Sequence, residues 1–108
     1  MPVKNIEKQE LLDHLSKEIF WNCNRSILKY DEDKNIIIPR IIEYGRPNDE
    51  LIMFKIYTSR EIKKIAVKIE GLNKEKIFHF SKLLKISQKR FTSYNKKQWH
   101  ELVNNNDI

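Results

Sequence analysis

The sequence predicts a small all-α domain, and three observations carry that expectation. Only two glycines and three prolines occur among 108 residues, too few turn-formers for the many connections of a β-sandwich. Apolar residues recur at intervals of three and four, the spacing of one helical face. Acidic, Asn, Ser and Thr residues gather ahead of those runs, where helix starts favour them. The expected architecture is a single domain over residues 1–103, built of five or six short helices with a candidate helix-turn-helix segment. Residues 104–108 are expected to fray. A composition that is 40% hydrophobic and 33% charged supplies one core and argues against disorder.

The first helix is expected from Ile6 to Phe20, with Leu11, Leu12, Leu15 and Ile19 in one stripe. Phe20-Trp21-Asn22-Cys23-Asn24 ends it. Two adjacent aromatics cannot share one side, so one plugs the core and the other covers a neighbour. The central element is Ile36-Ile37-Ile38-Pro39-Arg40-Ile41-Ile42-Glu43-Tyr44-Gly45, the densest apolar run in the chain. Asp31, Glu32 and Asp33 precede it, as suits a helix N-terminus. The consecutive isoleucines would also suit a strand. The spacing predicts a helix over 31–44, kinked or restarted at Pro39 and closed by Gly45. Trp21, Ile42 and Tyr44 are assigned to the core.

Gly45 to Asp49 reads as a turn, followed by a helix from Asp49 to Tyr57. Thr58 to Glu61 can cap the next helix, with Ile62, Ile65, Ala66 and Ile69 on one face. Gly71 stops it, and Asn73 can cap a third helix. That helix turns Ile77, Phe80, Leu83 and Leu84 inward and Lys74, Lys76, Lys82 and Lys85 outward. Beyond Ile86 a basic stretch is interleaved with aromatics, and a last short helix is expected from Asn95 to Val103.

Net charge is +6, and it is unevenly spread. Ser59 to His100 holds 12 Lys and Arg against 3 Asp and Glu, whereas residues 1–58 hold 9 against 10. A basic half beside a neutral one suits a phosphate-bearing or acidic partner. Plain lysine excess on solvated helices is the competing explanation. The candidate binding residues are Lys63, Lys64, Lys68, Lys74, Lys76 and Lys82. Phe78, Phe91, Tyr94 and Trp99 could stack on bases or serve the core. Ala66 and Gly71 stand five apart, whereas the helix-turn-helix pattern places its Ala and Gly four apart. Arginine is scarce in the basic half, so DNA contacts would fall mostly on phosphate.

Catalytic templates are missing. The two glycines stand alone, which excludes a glycine-rich phosphate loop, and His14, His79, His100 and Cys23 have no zinc spacing. The carboxylates of Asp31-Glu32-Asp33 and Asp49-Glu50 are explained by helix starts. No catalytic residue, metal or cofactor is expected. No run reaches the roughly 20 apolar residues of a membrane span, the start lacks a signal-peptide core, and one cysteine forms no intramolecular disulfide. A cytoplasmic, non-membrane protein is expected.

Ile19-Phe20-Trp21-Asn22-Cys23-Asn24 and Ile37-Ile38-Pro39-Arg40-Ile41-Ile42-Glu43-Tyr44-Gly45 together resemble the signature of a small uncharacterised bacterial helical domain family. That family opens with Leu-Phe-Trp-Asp and continues with an Ile-Ile-x-Arg-Val-Leu-Glu-x-Gly helix. Lys55-Ile56-Tyr57 and Leu72 to Phe80 occupy the places of its later motifs, so the resemblance spans about residues 19–86. The chain departs from the pattern at Pro39, Asn22 and Phe78-His79-Phe80. Such domains are often encoded beside abortive-infection-type nucleotidyltransferase toxins. The resemblance implies a non-enzymatic, antitoxin-like or regulatory module with a nucleotidyltransferase-type toxin as partner and nucleic acid as a second ligand. The alternatives are a DNA- or RNA-binding regulator without a toxin partner, or a protein-interaction domain. The sequence does not fix the oligomeric state.

Overall fold

The computed structural model describes residues 5–21 and 24–94. The expected 95–103 helix, the 104–108 tail, Asn22, Cys23, Trp99 and His100 lie outside the described residues. Every regular element within them is helical, as the composition leads one to expect. The α-helices are α1 (Asn5–Leu11), α2 (Lys34–Tyr44), α3 (Pro47–Ile56), α4 (Ser59–Ala66) and α5 (Lys74–Leu84). Short 3-10 turns occupy Leu12–His14, Lys17–Phe20, Arg25–Ile27 and Gln88–Arg90. The chain divides into two compact units, Met1–Ile62 and Lys63–Ile108, with the division inside α4. No helix among the described residues is long and apolar enough to cross a membrane.

In the first unit α2 packs against both the Lys17–Phe20 turn and α3, and α3 packs against α1. Ile37, Ile38, Ile41 and Ile42 are all buried, as a broad helical face requires. Pro39 lies within one continuous helix, so the helix does not restart there. It removes one N–H, the donor that would reach the carbonyl of Asn35, and Asn35 is exposed to water. The helix starts at Lys34 rather than Asp31. Asp33 Oδ2 accepts from the Lys29 N–H (2.8 Å) while the Asp33 N–H donates to the Lys29 carbonyl (3.0 Å), so these residues close a turn instead. Gly45 has φ −74°, so it is not the left-handed terminator glycine usually supplies. A Cβ there would run into the Ile41 carbonyl, which the Gly45 N–H meets at 2.8 Å.

The first helix expected from the pattern is broken. It gives way after Leu11 to a 3-10 turn and then to extended backbone at Leu15 and Ser16. The reason lies 33 residues away. The Ser16 N–H donates to Asp49 Oδ1 (2.9 Å) and the Ser16 hydroxyl to Asp49 Oδ2 (2.7 Å). The tertiary contact replaces the helical bond that this N–H would have made. The Arg46 N–H adds a third bond to Asp49 Oδ2 (2.8 Å), closing the N-terminus of α3. Asp49 is 1% exposed and lies in the first turn of α3, which begins at Pro47 rather than at Asp49 itself. Gln9 braces the same unit by donating to the Leu28 carbonyl (2.8 Å) and accepting from the Tyr30 N–H (3.0 Å). The buried Tyr57 hydroxyl donates to the Tyr30 carbonyl (2.8 Å).

Thr58 and Glu61 start α4 as a reciprocal capping box: the Glu61 N–H donates to Thr58 Oγ1 (3.2 Å) and the Thr58 N–H to Glu61 Oε1 (3.3 Å). In the second unit Asn73 caps α5 by accepting from the Lys76 N–H (2.8 Å), as the sequence leads one to expect. Ile77, Phe80 and Leu84 are buried. Leu83 is not; a third of a turn from that stripe, it is 41% exposed. Lys85 ends α5 in the left-handed conformation (φ 57°), and the Ile86 N–H reaches the Ser81 carbonyl (3.0 Å). The stretch 91–93 clips the loop between α4 and α5. The Thr92 N–H donates to the Val67 carbonyl (2.8 Å), and Ser93 Oγ donates to the Ile69 carbonyl (2.6 Å) and accepts from the Leu72 N–H (3.0 Å).

Candidate functional site

The six lysines singled out by the charge distribution all fall in the second unit. Lys63 and Lys64 end α4, Lys68 lies in the following loop, and Lys74, Lys76 and Lys82 belong to α5. Lys64, Lys68, Lys74 and Lys82 are exposed, while Lys63 and Lys76 are partly covered. From Lys63 to Tyr94 the unit holds nine basic residues against two acidic ones. The lysines of α5 do not share one stripe. Lys74, Phe78 and Lys82 stand at i, i+4 and i+8 and so line one flank. Lys76 falls on the other flank, two turns before Leu83. Phe78 is 49% exposed, and the Lys82 ammonium lies over its ring, 4.3 Å from the centroid.

The other aromatics of the basic stretch have different roles. Phe91 is fully buried and belongs to the core, and Tyr94 is half-buried. The connection from α4 to α5 runs over seven residues, 67–73, longer than the three or four of a helix-turn-helix. Ser93 holds that loop together through the Ile69 carbonyl and the Leu72 N–H.

In the first unit two residues assigned to the core are on the surface. Trp21 is 66% exposed and Tyr44 45%. Ile19 and Phe20 take the inward positions of the Lys17–Phe20 turn, which leaves Trp21 facing out. Tyr44 is in phase with Ile37 but is the last residue of α2. Ile42, the third assigned residue, is buried. The two rings meet edge to face, centroids 6.5 Å apart at 87°. The Arg40 guanidinium donates to the Ile19 carbonyl (3.0 Å), fixing the turn that carries Trp21 against α2. The Arg46 guanidinium pairs with Glu18 (2.9 Å) at the same turn.

Residues 15–66 match the profile of a family of unknown function (DUF6922). No curated protein and no solved structure matches the chain. The matched stretch is just under half of the chain. It contains the Trp21–Tyr44 pair, the Asp49 junction, Lys63 and Lys64, and it stops at Ala66, so α5 lies beyond it.

Sequence reasoning missed Asp49 as a junction, because its partner Ser16 is an ordinary helix residue by pattern. It also missed Ser93, which carries no signal in its neighbours. Among the described residues no group of three His, Cys, Asp or Glu side chains is placed to hold a metal. The Asp49 carboxylate receives three donors and is occupied structurally. Burial drives the Tyr57 phenol well above the ordinary tyrosine range, with Glu61, Asp31 and Asp33 adding to the effect. Partial burial of Glu61 opposes its ionisation, but hydrogen bonds from Thr58 and the nearby Lys34 ammonium prevail and hold its carboxyl below the usual range. Both groups are accounted for by local structure.

Proposed function

We propose that the chain is a non-enzymatic regulatory module of the cytoplasm that holds nucleic acid on the lysine face of its second unit. The observation that carries this reading is the flank Lys74, Phe78 and Lys82 of α5, set in a stretch, Lys63 to Tyr94, with nine cations and two acids. Lysines supply point charges for phosphate oxygens, and their affinity is relieved by salt. Arg90 is the one arginine between Lys63 and Tyr94, so little fork-like guanine recognition is available.

The antitoxin-like part of the proposal is a nucleotidyltransferase-type toxin as protein partner. It draws on the resemblance of the Ile19–Asn24 and Ile37–Gly45 stretches. It draws also on the exposed Trp21–Tyr44 pair, since aromatic anchors are enriched at protein interfaces. A nucleic-acid-binding regulator without such a partner is the second reading, favoured by the lysine face alone. Affinity purification from nuclease-treated host lysate separates them. Stoichiometric recovery of a nucleotidyltransferase, lost with Trp21→Ala, supports the first. Recovery of nucleic acid alone when nuclease is omitted, lost with the triple change K74E/K76E/K82E, supports the second. A triple variant that keeps full nucleic-acid affinity removes the assigned face.

A further inference from the structure

This inference rests on the proposed nucleic-acid reading and concerns the form of nucleic acid that the α5 flank would take. Phe78 is half exposed in mid-helix, although most of the apolar side chains of α5 turn inward. Lys74 precedes it by one turn and Lys82 follows by one turn. The candidate stacking residues Phe91 and Tyr94 are buried and half-buried. Among the phenylalanine and tyrosine rings in the described part of the basic unit, Phe78 is therefore the one that is exposed to a ligand.

We propose that Phe78 is a stacking platform for an unpaired base, and that the face it shares with Lys74 and Lys82 takes single-stranded nucleic acid. A phenylalanine ring has no donor or acceptor with which to read base edges, so in a duplex groove it could touch little beyond a thymine methyl. An unpaired base presents its whole face, and stacking tolerates any base. The Lys82 ammonium now lies over the ring, held by an attraction that is weak at exposed sites. A strand replaces it: the base takes the ring and the ammonium moves to the adjoining phosphate. One nucleotide thus receives both contacts from residues one helical turn apart.

The test is fluorescence anisotropy with a labelled oligothymidylate of about 12 nucleotides, a length one small single-strand module covers, against a duplex of equal length. The full chain is compared with F78A, F78W and K74E/K82E, each checked for unchanged thermal unfolding. Preference for the single strand is expected. F78A should weaken it about tenfold and F78W should restore it, with duplex binding unmoved. Equal loss on both probes, or none, with F78A while K74E/K82E abolishes binding would overturn the stacking role and leave the nucleic-acid reading standing. Failure of the full chain to bind either probe would overturn both. Binding that requires anionic phosphatidylserine vesicles instead of either probe would also overturn both.

Discussion

Asp49 shows how one side chain can redirect a helix. Its two oxygens receive the Ser16 N–H, the Ser16 hydroxyl and the Arg46 N–H in a site closed to water. Asn at this position keeps only one acceptor oxygen and turns an NH2 towards a donor. We expect Asp49→Asn to cost about 2 kcal/mol and Asp49→Ala about 3 kcal/mol, measured by urea denaturation. A second residue-scale prediction concerns Tyr57. Its folded-state pKa lies above its unfolded value of about 10, so the folded state holds the phenolic proton more tightly. The contribution is fully present below that value and falls as pH rises beyond it. Unfolding midpoints of the parent chain should therefore drop more steeply above about pH 10 than those of Tyr57→Phe, which has no proton to lose. At neutral pH the variant should be about 1 kcal/mol less stable, for loss of the bond to the Tyr30 carbonyl. Acid at Asp49 was legible in the sequence as a helix-start signal, because that preference is local. Its bond to Ser16 was not, since nothing in the residues around Ser16 marks it as a distant partner.

Among the elements, α2 shows pattern prevailing over a local breaker. Four buried isoleucines hold the helix together across Pro39. An interior proline costs a helix about 3 kcal/mol relative to alanine in peptides. Asn35, whose carbonyl loses that donor, is an exposed residue, which lowers that figure here. Pro39→Ala is expected to raise stability by about 1–2 kcal/mol in thermal or denaturant unfolding. A fall would mean that packing of the proline ring outweighs the recovered hydrogen bond. Helix α5 and the start of α4 were legible, since Asn73 and Thr58–Glu61 act within one turn. Helix α4 ends at Ala66 and not at Gly71 as the pattern predicts, leaving the buried Ile69 in the loop. The first helix was overextended because its apolar spacing continues through Leu15 and Ile19, whereas the backbone there is committed to Asp49. Trp21 and Tyr44 were misassigned for a related reason. Hydrophobicity predicts the inside only while there is core left to enter, and Ile19, Phe20 and the α2 isoleucines have filled it. Their edge-to-face pairing at the surface became visible only in the fold.

For the molecule as a whole, the charge distribution could be counted directly from the sequence, and it locates the candidate lysines in the second unit. Their separation into two flanks of α5 could not be counted, because it depends on which helix face is buried. Nor could the fate of the aromatics: Phe78 and Phe91 look alike among lysines, yet one is open and the other is core. The central claim is that the open flank binds through phosphate charge. The most direct test is the salt dependence of the chain's affinity for a labelled single strand. If about four phosphates are engaged, affinity should fall roughly fiftyfold between about 50 and 200 mM salt, along a straight log–log line. The line should flatten when Lys74 and Lys82 are reversed in charge. Binding indifferent to salt, or a slope unchanged by that reversal, would contradict the account.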